Sequence, residues 1–107
     1  MPPTIPITIN AVELFDPAKP VAESAIALSD RILKDLSGGV PISVSFSGVR
    51  GAASSYYNIV LHRIKTTFGV EILRTIPARI EWRFDSDAQR TIFDRSLKAI
   101  LKAAVSP

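Results

Sequence analysis

Three stretches of the chain alternate apolar and polar residues with a period of two. In the first, Ile5, Ile7 and Ile9 interleave with Pro6, Thr8 and Asn10. In the second, Ile42, Val44 and Phe46 interleave with Ser43, Ser45 and Ser47. In the third, Ala78, Ile80, Trp82 and Phe84 interleave with Arg79, Glu81 and Arg83. Successive side chains of a strand point to opposite faces, so this pattern predicts half-buried strands. Pro6 lacks the N–H that a ladder needs, which puts the first strand at an edge or delays its start.

The other stretches carry helical spacing. Val21, Ala25, Leu28, Ile32 and Leu36 recur as one helix face, with Pro20 at the entry and Ser37-Gly38-Gly39 at the exit. A second helix is predicted from Ser54 to Phe68, with Tyr56, Ile59, Val60, Ile64 and Thr67 facing inward and Gly69 as its stop. Tyr56 and Tyr57 are neighbours on it and point to different sides, so Tyr57 is expected to be the exposed one. A third helix is predicted from Asp87 to Ala104, with an apolar stripe of Ile92, Phe93, Leu97, Ile100 and Leu101. Ser86 and Gln89 have the spacing of a capping box at its start. The stretch from Val70 to Ile76 fits a helical turn or a short strand equally.

Strands separated by helices predict βαβ units, right-handed crossovers and a mainly parallel sheet. Parallel strands covered on both faces read as continuous apolar runs, and these alternate instead. The expectation is therefore a two-layer α/β domain, βαβαβα, with the helices largely on one face. The other face would be wet, carrying Thr8, Ser43, Ser45, Ser47, Arg79, Glu81 and Arg83.

Length and composition fit one globular domain over residues 1–107, with only residues 1–4 expected to be flexible: the chain is 47% hydrophobic and 21% charged. It has no cysteine, which excludes disulfides and thiolate metal sites. No apolar run approaches the roughly 20 residues of a membrane span. Met1-Pro2-Pro3-Thr4 does not begin a signal peptide, so the expected location is cytoplasmic. Thirteen Lys and Arg against ten Asp and Glu leave a net charge of +3. The basic residues are scattered; the nearest thing to a stripe is Arg90, Arg95, Lys98 and Lys102 on the last helix. That weighs against nucleic acid as the partner, because such a footprint is clustered.

Catalytic chemistry is thin. The chain has one histidine, His62. Ser54 and His62 stand eight positions apart on one predicted helix, roughly 12 Å along its axis, while a general base must come within about 3 Å. No cluster of metal ligands and no glycine-rich phosphate loop is present. Asp85 and Asp87 flank Ser86 and read as acids of a helix start. The chain is therefore expected to be non-catalytic, with no metal and no cofactor.

The informative segment runs from Ile42 to Asn58: a strand, a turn marked by Gly48 and Gly51, and a helix opening on Ser54 and Ser55. Hydroxyls there sit among unpaired backbone N–H groups at the positive end of the helix dipole. By themselves they read first as helix caps, which far outnumber phosphosites, and second as acceptors of a phosphoryl group.

Phe46-Ser47-Gly48-Val49, three spacer residues and then Ala53-Ser54-Ser55 resemble the signature of STAS domains, the anti-sigma factor antagonist superfamily. In that family a strand ending in Asp-Leu-Ser-Gly-Val is followed by Asp-Ser-Ser-Gly at a helix start, and a partner kinase phosphorylates the first serine of the pair. The chain departs at Ser45 and Ala53, where the family has Asp, and at Tyr56, where it has Gly. In these departures it is similar to a divergent STAS-like family with Phe-Ser-Gly-Val followed by Ser-Ser-(Phe/Tyr)-x-Asn, here Ser54-Ser55-Tyr56-Tyr57-Asn58; Phe68-Gly69 after the helix is similar too. The specific part of the resemblance spans Ser45 to Asn58.

The resemblance implies a regulatory protein-interaction module whose partner is a histidine-kinase-like ATPase. Ser54 is the phosphorylation candidate, with Ser55 beside it. The implied contact residues are Val49, Arg50, Gly51, Ser54, Ser55, Tyr57 and Asn58. The alternatives are a self-associating docking module, pairing through its polar sheet face or first strand, and a small nucleic-acid-binding domain using the last helix.

Overall fold

A computed structural model describes residues 7–50, 53–74 and 80–105. The alternating segments form β1 (Ile7–Asn10), β2 (Ile42–Ser45) and β3 (Ile80–Arg83), one parallel sheet in the order β1-β2-β3. The register aligns Ile7 with Ile42 and Ile80, and Ile9 with Val44 and Trp82. Apolar rows therefore cross one face. Thr8 aligns with Ser43 and Glu81, and Asn10 with Ser45 and Arg83, on the other. Strands in sequential order, joined by crossovers of one hand, put every crossover on the same side of the sheet.

That side is covered by α1 (Val21–Ser37), α2 (Ser54–Phe68) and α4 (Asp87–Val105). Helix α2 is the middle one and packs against both α1 and α4. The result is the two-layer α/β fold that the pattern predicts. The core is filled by Ile9, Ile42, Val44 and Phe46 from the sheet and by Leu28, Ile32, Val60, Leu61 and Ile64 from the helices.

Two short elements complete the order: a 3₁₀ turn at Ala11–Leu14 directly after β1, and α3 (Glu71–Arg74). The first has no periodic signal of its own. The second makes the described part of the ambiguous stretch after Gly69 a helical turn. Helix α1 closes as its glycines predict, with the left-handed residue being Gly39, φ +79°, rather than Gly38. Residues 1–4, Ile5, Pro6, Gly51, Ile76, Ala78 and Arg79, on which earlier expectations rest, lie outside the described residues.

Two expectations are corrected. The outer sheet face is not uniformly wet. Thr8, Glu81 and Arg83 are exposed, but Ser43 is buried and Ser45 half-buried. Ser43 is a small residue on the central strand between two flanking partners. Ser47 is exposed but lies past the end of β2.

The inner stripe of α2 is also rotated and wider. Tyr56, Tyr57, Val60, Leu61 and Ile64 are buried, whereas Ile59 is only partly so and Thr67 is exposed. A helix with a sheet beneath it and a helix on each flank buries a broader arc than one resting on a sheet alone.

The hydroxyl of Tyr56 is buried without a hydrogen-bond partner, and burial pushes its acidity well away from the ordinary tyrosine range, toward the neutral form. An unpaired buried hydroxyl destabilises by about 1–3 kcal/mol. Tyr56→Phe is therefore expected to raise stability by about 1 kcal/mol, read as a higher urea midpoint at unchanged slope. A lower midpoint would mean that the hydroxyl is bonded in the folded protein.

Candidate functional site

The turn after β2 is built by main-chain and side-chain bonds together. Phe46 N–H donates to Arg83 O at 2.9 Å, extending the β2–β3 pairing by one bond. Val49 N–H donates to Phe46 O at 3.0 Å, closing a four-residue turn whose third residue, Gly48, has φ +85°. That position requires glycine, and a Cβ there would also stand 3.2 Å from Val12 Cγ2.

The turn is fastened to α4. Gly48 N–H donates to Asp85 Oδ2 at 3.0 Å. Gln89, itself buried, donates from Nε2 to Phe46 O at 3.0 Å and to Val49 O at 3.2 Å. Its Oε1 accepts Asp85 N–H at 3.0 Å, and its own N–H donates to Ser86 Oγ at 3.1 Å. The capping box read from Ser86 and Gln89 is thus half realised. Ser86 caps as predicted, but the Gln89 side chain bonds Asp85 and the β2–α2 turn instead of the Ser86 N–H.

Helix α2 begins at Ser54. Its cap is Ala53, in extended conformation, and no side chain caps it. Both serines are therefore inside the helix and exposed, and the capping reading of them is corrected. The Ser96 hydroxyl of α4 donates to Ser54 O at 3.4 Å. Arg50 and Asn58 are exposed as expected of contact residues. Val49 and Tyr57 are not: they are 5% and 1% exposed. Tyr57 is enclosed by Phe46, Tyr56 and Phe93, at ring separations of 5.1, 5.2 and 5.9 Å. Neither residue offers a side chain to a partner's surface.

Two hollows flank the start of α2. One is a groove of ≈470 Å³ between α2 and α4, where Ser54 and Asn58 face Arg95, Ser96 and Ala99. It continues past Asn58 into an apolar hollow of ≈330 Å³ beside Ile59, His62 and Ile100. Ser54, Asn58 and His62 follow one another at helical spacing along this groove. The second hollow, ≈380 Å³, opens where β2 and β3 end, between Arg50 and Tyr57 on one side and Asp85 and Ser86 on the other. Burial first, and the Asp85 carboxylate second, push the Tyr57 phenol up to about 12, so it keeps its proton at neutral pH.

Arg95 and Gln89 are the residues that sequence reasoning placed on the last helix without seeing what they face. His62 is exposed, as expected, and is no partner for Ser54. Among the described residues no group of three His, Cys, Asp or Glu could hold a metal ion, and no helix is long and apolar enough to cross a membrane. Comparison with family models, with curated proteins and with solved structures gives no match for this chain.

Proposed function

We propose that this domain is a non-catalytic cytoplasmic regulatory module of the STAS-like kind. It works by docking a protein partner, a histidine-kinase-like ATPase, and is switched by phosphorylation of Ser54. The observation that supports this most is the position of the Ser54 hydroxyl. It is exposed, unused as a cap, and stands at the head of the α2–α4 groove. The docking surface comprises the exposed members of the turn and helix, Arg50, Ser54, Ser55 and Asn58, together with that groove. The signature from Phe46 to Asn58 supplies the family reading.

A phosphoserine carries about −1.5 to −2 charge. At Ser54 it would stand at the positive end of the α2 dipole and share a groove with Arg95. The added charge is tolerated locally while the surface presented to a partner changes sign. Ser54→Asp is accordingly expected to leave the thermal midpoint within a few degrees of the parent, because exposed substitutions of this kind stay within about 0.5 kcal/mol. It should change partner affinity about tenfold or more. Incubation with the partner ATPase and ATP should place one phosphate on Ser54, and Ser54→Ala should abolish its incorporation. Unfolding of Ser54→Asp, or phosphate found only on other residues, would refute the switch.

A further inference from the structure

The hollow at the ends of β2 and β3 is separate from the α2–α4 groove, and its polar groups are not all used. Its frame is fixed: the Gln89 side chain spends its oxygen and nitrogen on Asp85 N–H, Phe46 O and Val49 O. Asp85 uses Oδ2 to accept Gly48 N–H, and Ser86 Oγ accepts Gln89 N–H. What remains is informative. Tyr57 is 1% exposed and lines the hollow, and its side chain forms no hydrogen bond among the described residues. Its hydroxyl is not among the buried unpartnered atoms, so the small exposed part of the residue is the phenol end that meets the hollow. Arg50 is exposed and forms no ion pair among the described residues. Oδ1 of Asp85 and the Ser86 hydroxyl proton are likewise unused there.

The inventory is one guanidinium, one carboxylate oxygen and two neutral hydroxyl donors, set between the apolar walls of Val49 and Ile92. A ligand of single charge would meet one partner and one like charge. A ligand carrying both charges satisfies both. A volume of ≈380 Å³ lies in the range of small-molecule sites.

The geometry points to a binding site for a small zwitterion, an α-amino acid with an aliphatic side chain. Its carboxylate pairs with Arg50 and accepts from the Tyr57 hydroxyl. Its ammonium sits on Asp85, and its side chain lies against Val49 and Ile92. The site is independent of whether Ser54 is ever phosphorylated.

The test is titration of the ¹⁵N-labelled protein with L-leucine, 4-methylpentanoate and 3-methylbutylamine, which share one carbon skeleton and differ in charge. L-leucine should give saturable shifts confined to Val49, Arg50, Tyr57, residues 85–89 and Ile92, with a Kd of about 1 mM or tighter. Each singly charged analogue should bind about tenfold more weakly or worse. Arg50→Ala, a change at an exposed residue that leaves the core untouched, should weaken L-leucine about tenfold or more. Tyr57→Phe should weaken it about five- to tenfold with the spectrum otherwise preserved. No shift at 10-fold excess over 1 mM, equal binding of either analogue, or undiminished binding by Arg50→Ala would each overturn the assignment.

Discussion

Replacing Gln89 with leucine is expected to lower the thermal midpoint by roughly 12–24 °C, although the side chains are of similar size. Three hydrogen bonds of the glutamine side chain disappear at once: the Nε2 bonds to Phe46 O and Val49 O, and the Oε1 bond from Asp85 N–H. Asp85 is exposed, so water replaces its partner. Both bonds from Nε2 are buried; Phe46 O keeps the Val49 N–H as a donor, whereas Val49 O is left without one. A buried carbonyl left unpaired destabilises by about 1–3 kcal/mol and each further lost bond by about 0.5–1.5 kcal/mol, which puts the combined loss at about 3 kcal/mol. In a domain of this size each kcal/mol moves the midpoint by roughly 4–8 °C. Ser86→Ala supplies the control: it removes the cap alone and should lower stability by about 1 kcal/mol. Calorimetry of the two variants distinguishes a tertiary clamp from an ordinary helix start. If Gln89→Leu falls no further than Ser86→Ala, the clamp contributes nothing.

Phe46→Ala is expected to have an effect as large or larger. The ring is fully buried at the end of the central strand. It lies 5.1 Å from Tyr57, 5.7 Å from Phe84, 6.0 Å from Trp82 and Phe93, and 6.2 Å from Tyr56. These separations fall in the range of favourable ring pairs. Truncation of a core phenylalanine destabilises by about 3–5 kcal/mol, against a total of about 5–15 kcal/mol for a typical domain. Phe46→Ala should therefore lose much of its near-ultraviolet circular dichroism at 37 °C, while Phe46→Leu, which keeps most of the volume, should stay folded with a loss of about 1.5 kcal/mol. A fully folded Phe46→Ala would mean that the aromatic group packs around the other rings without it.

The elements were legible in the sequence because each carries its own period. Ile42, Val44 and Phe46 mark β2, the Ser54 start of α2 is found at the predicted residue, and the one-sided helical layer follows from alternation in parallel strands. What was not legible depends on neighbours that local spacing does not contain. Tyr57 reads as exposed when α2 is pictured on a sheet alone. With α1 and α4 on its flanks, it joins Leu61 and Ile64 inside, a spacing visible in the sequence that the narrower stripe left out. Ser86 and Gln89 announce a helix start by their separation, but nothing in that separation says that the longer side chain reaches carbonyls 43 and 40 residues away. The same holds for the candidate site. Ser54 is found by motif, whereas Arg95 across the groove is found only once two helices are side by side.

The central place of β2 sets an order of events in time. Its four residues are bonded to β1 on one side and β3 on the other, so its amides exchange with solvent only when the whole domain opens. β1 and β3 have a described partner on one side alone and can fray first. The turn that follows β2 would ordinarily be the first surface segment to loosen. Held to α4 by Gln89 and Asp85, it opens with the core instead, and so the surface carrying Arg50 reaches a ligand or partner already in its final shape.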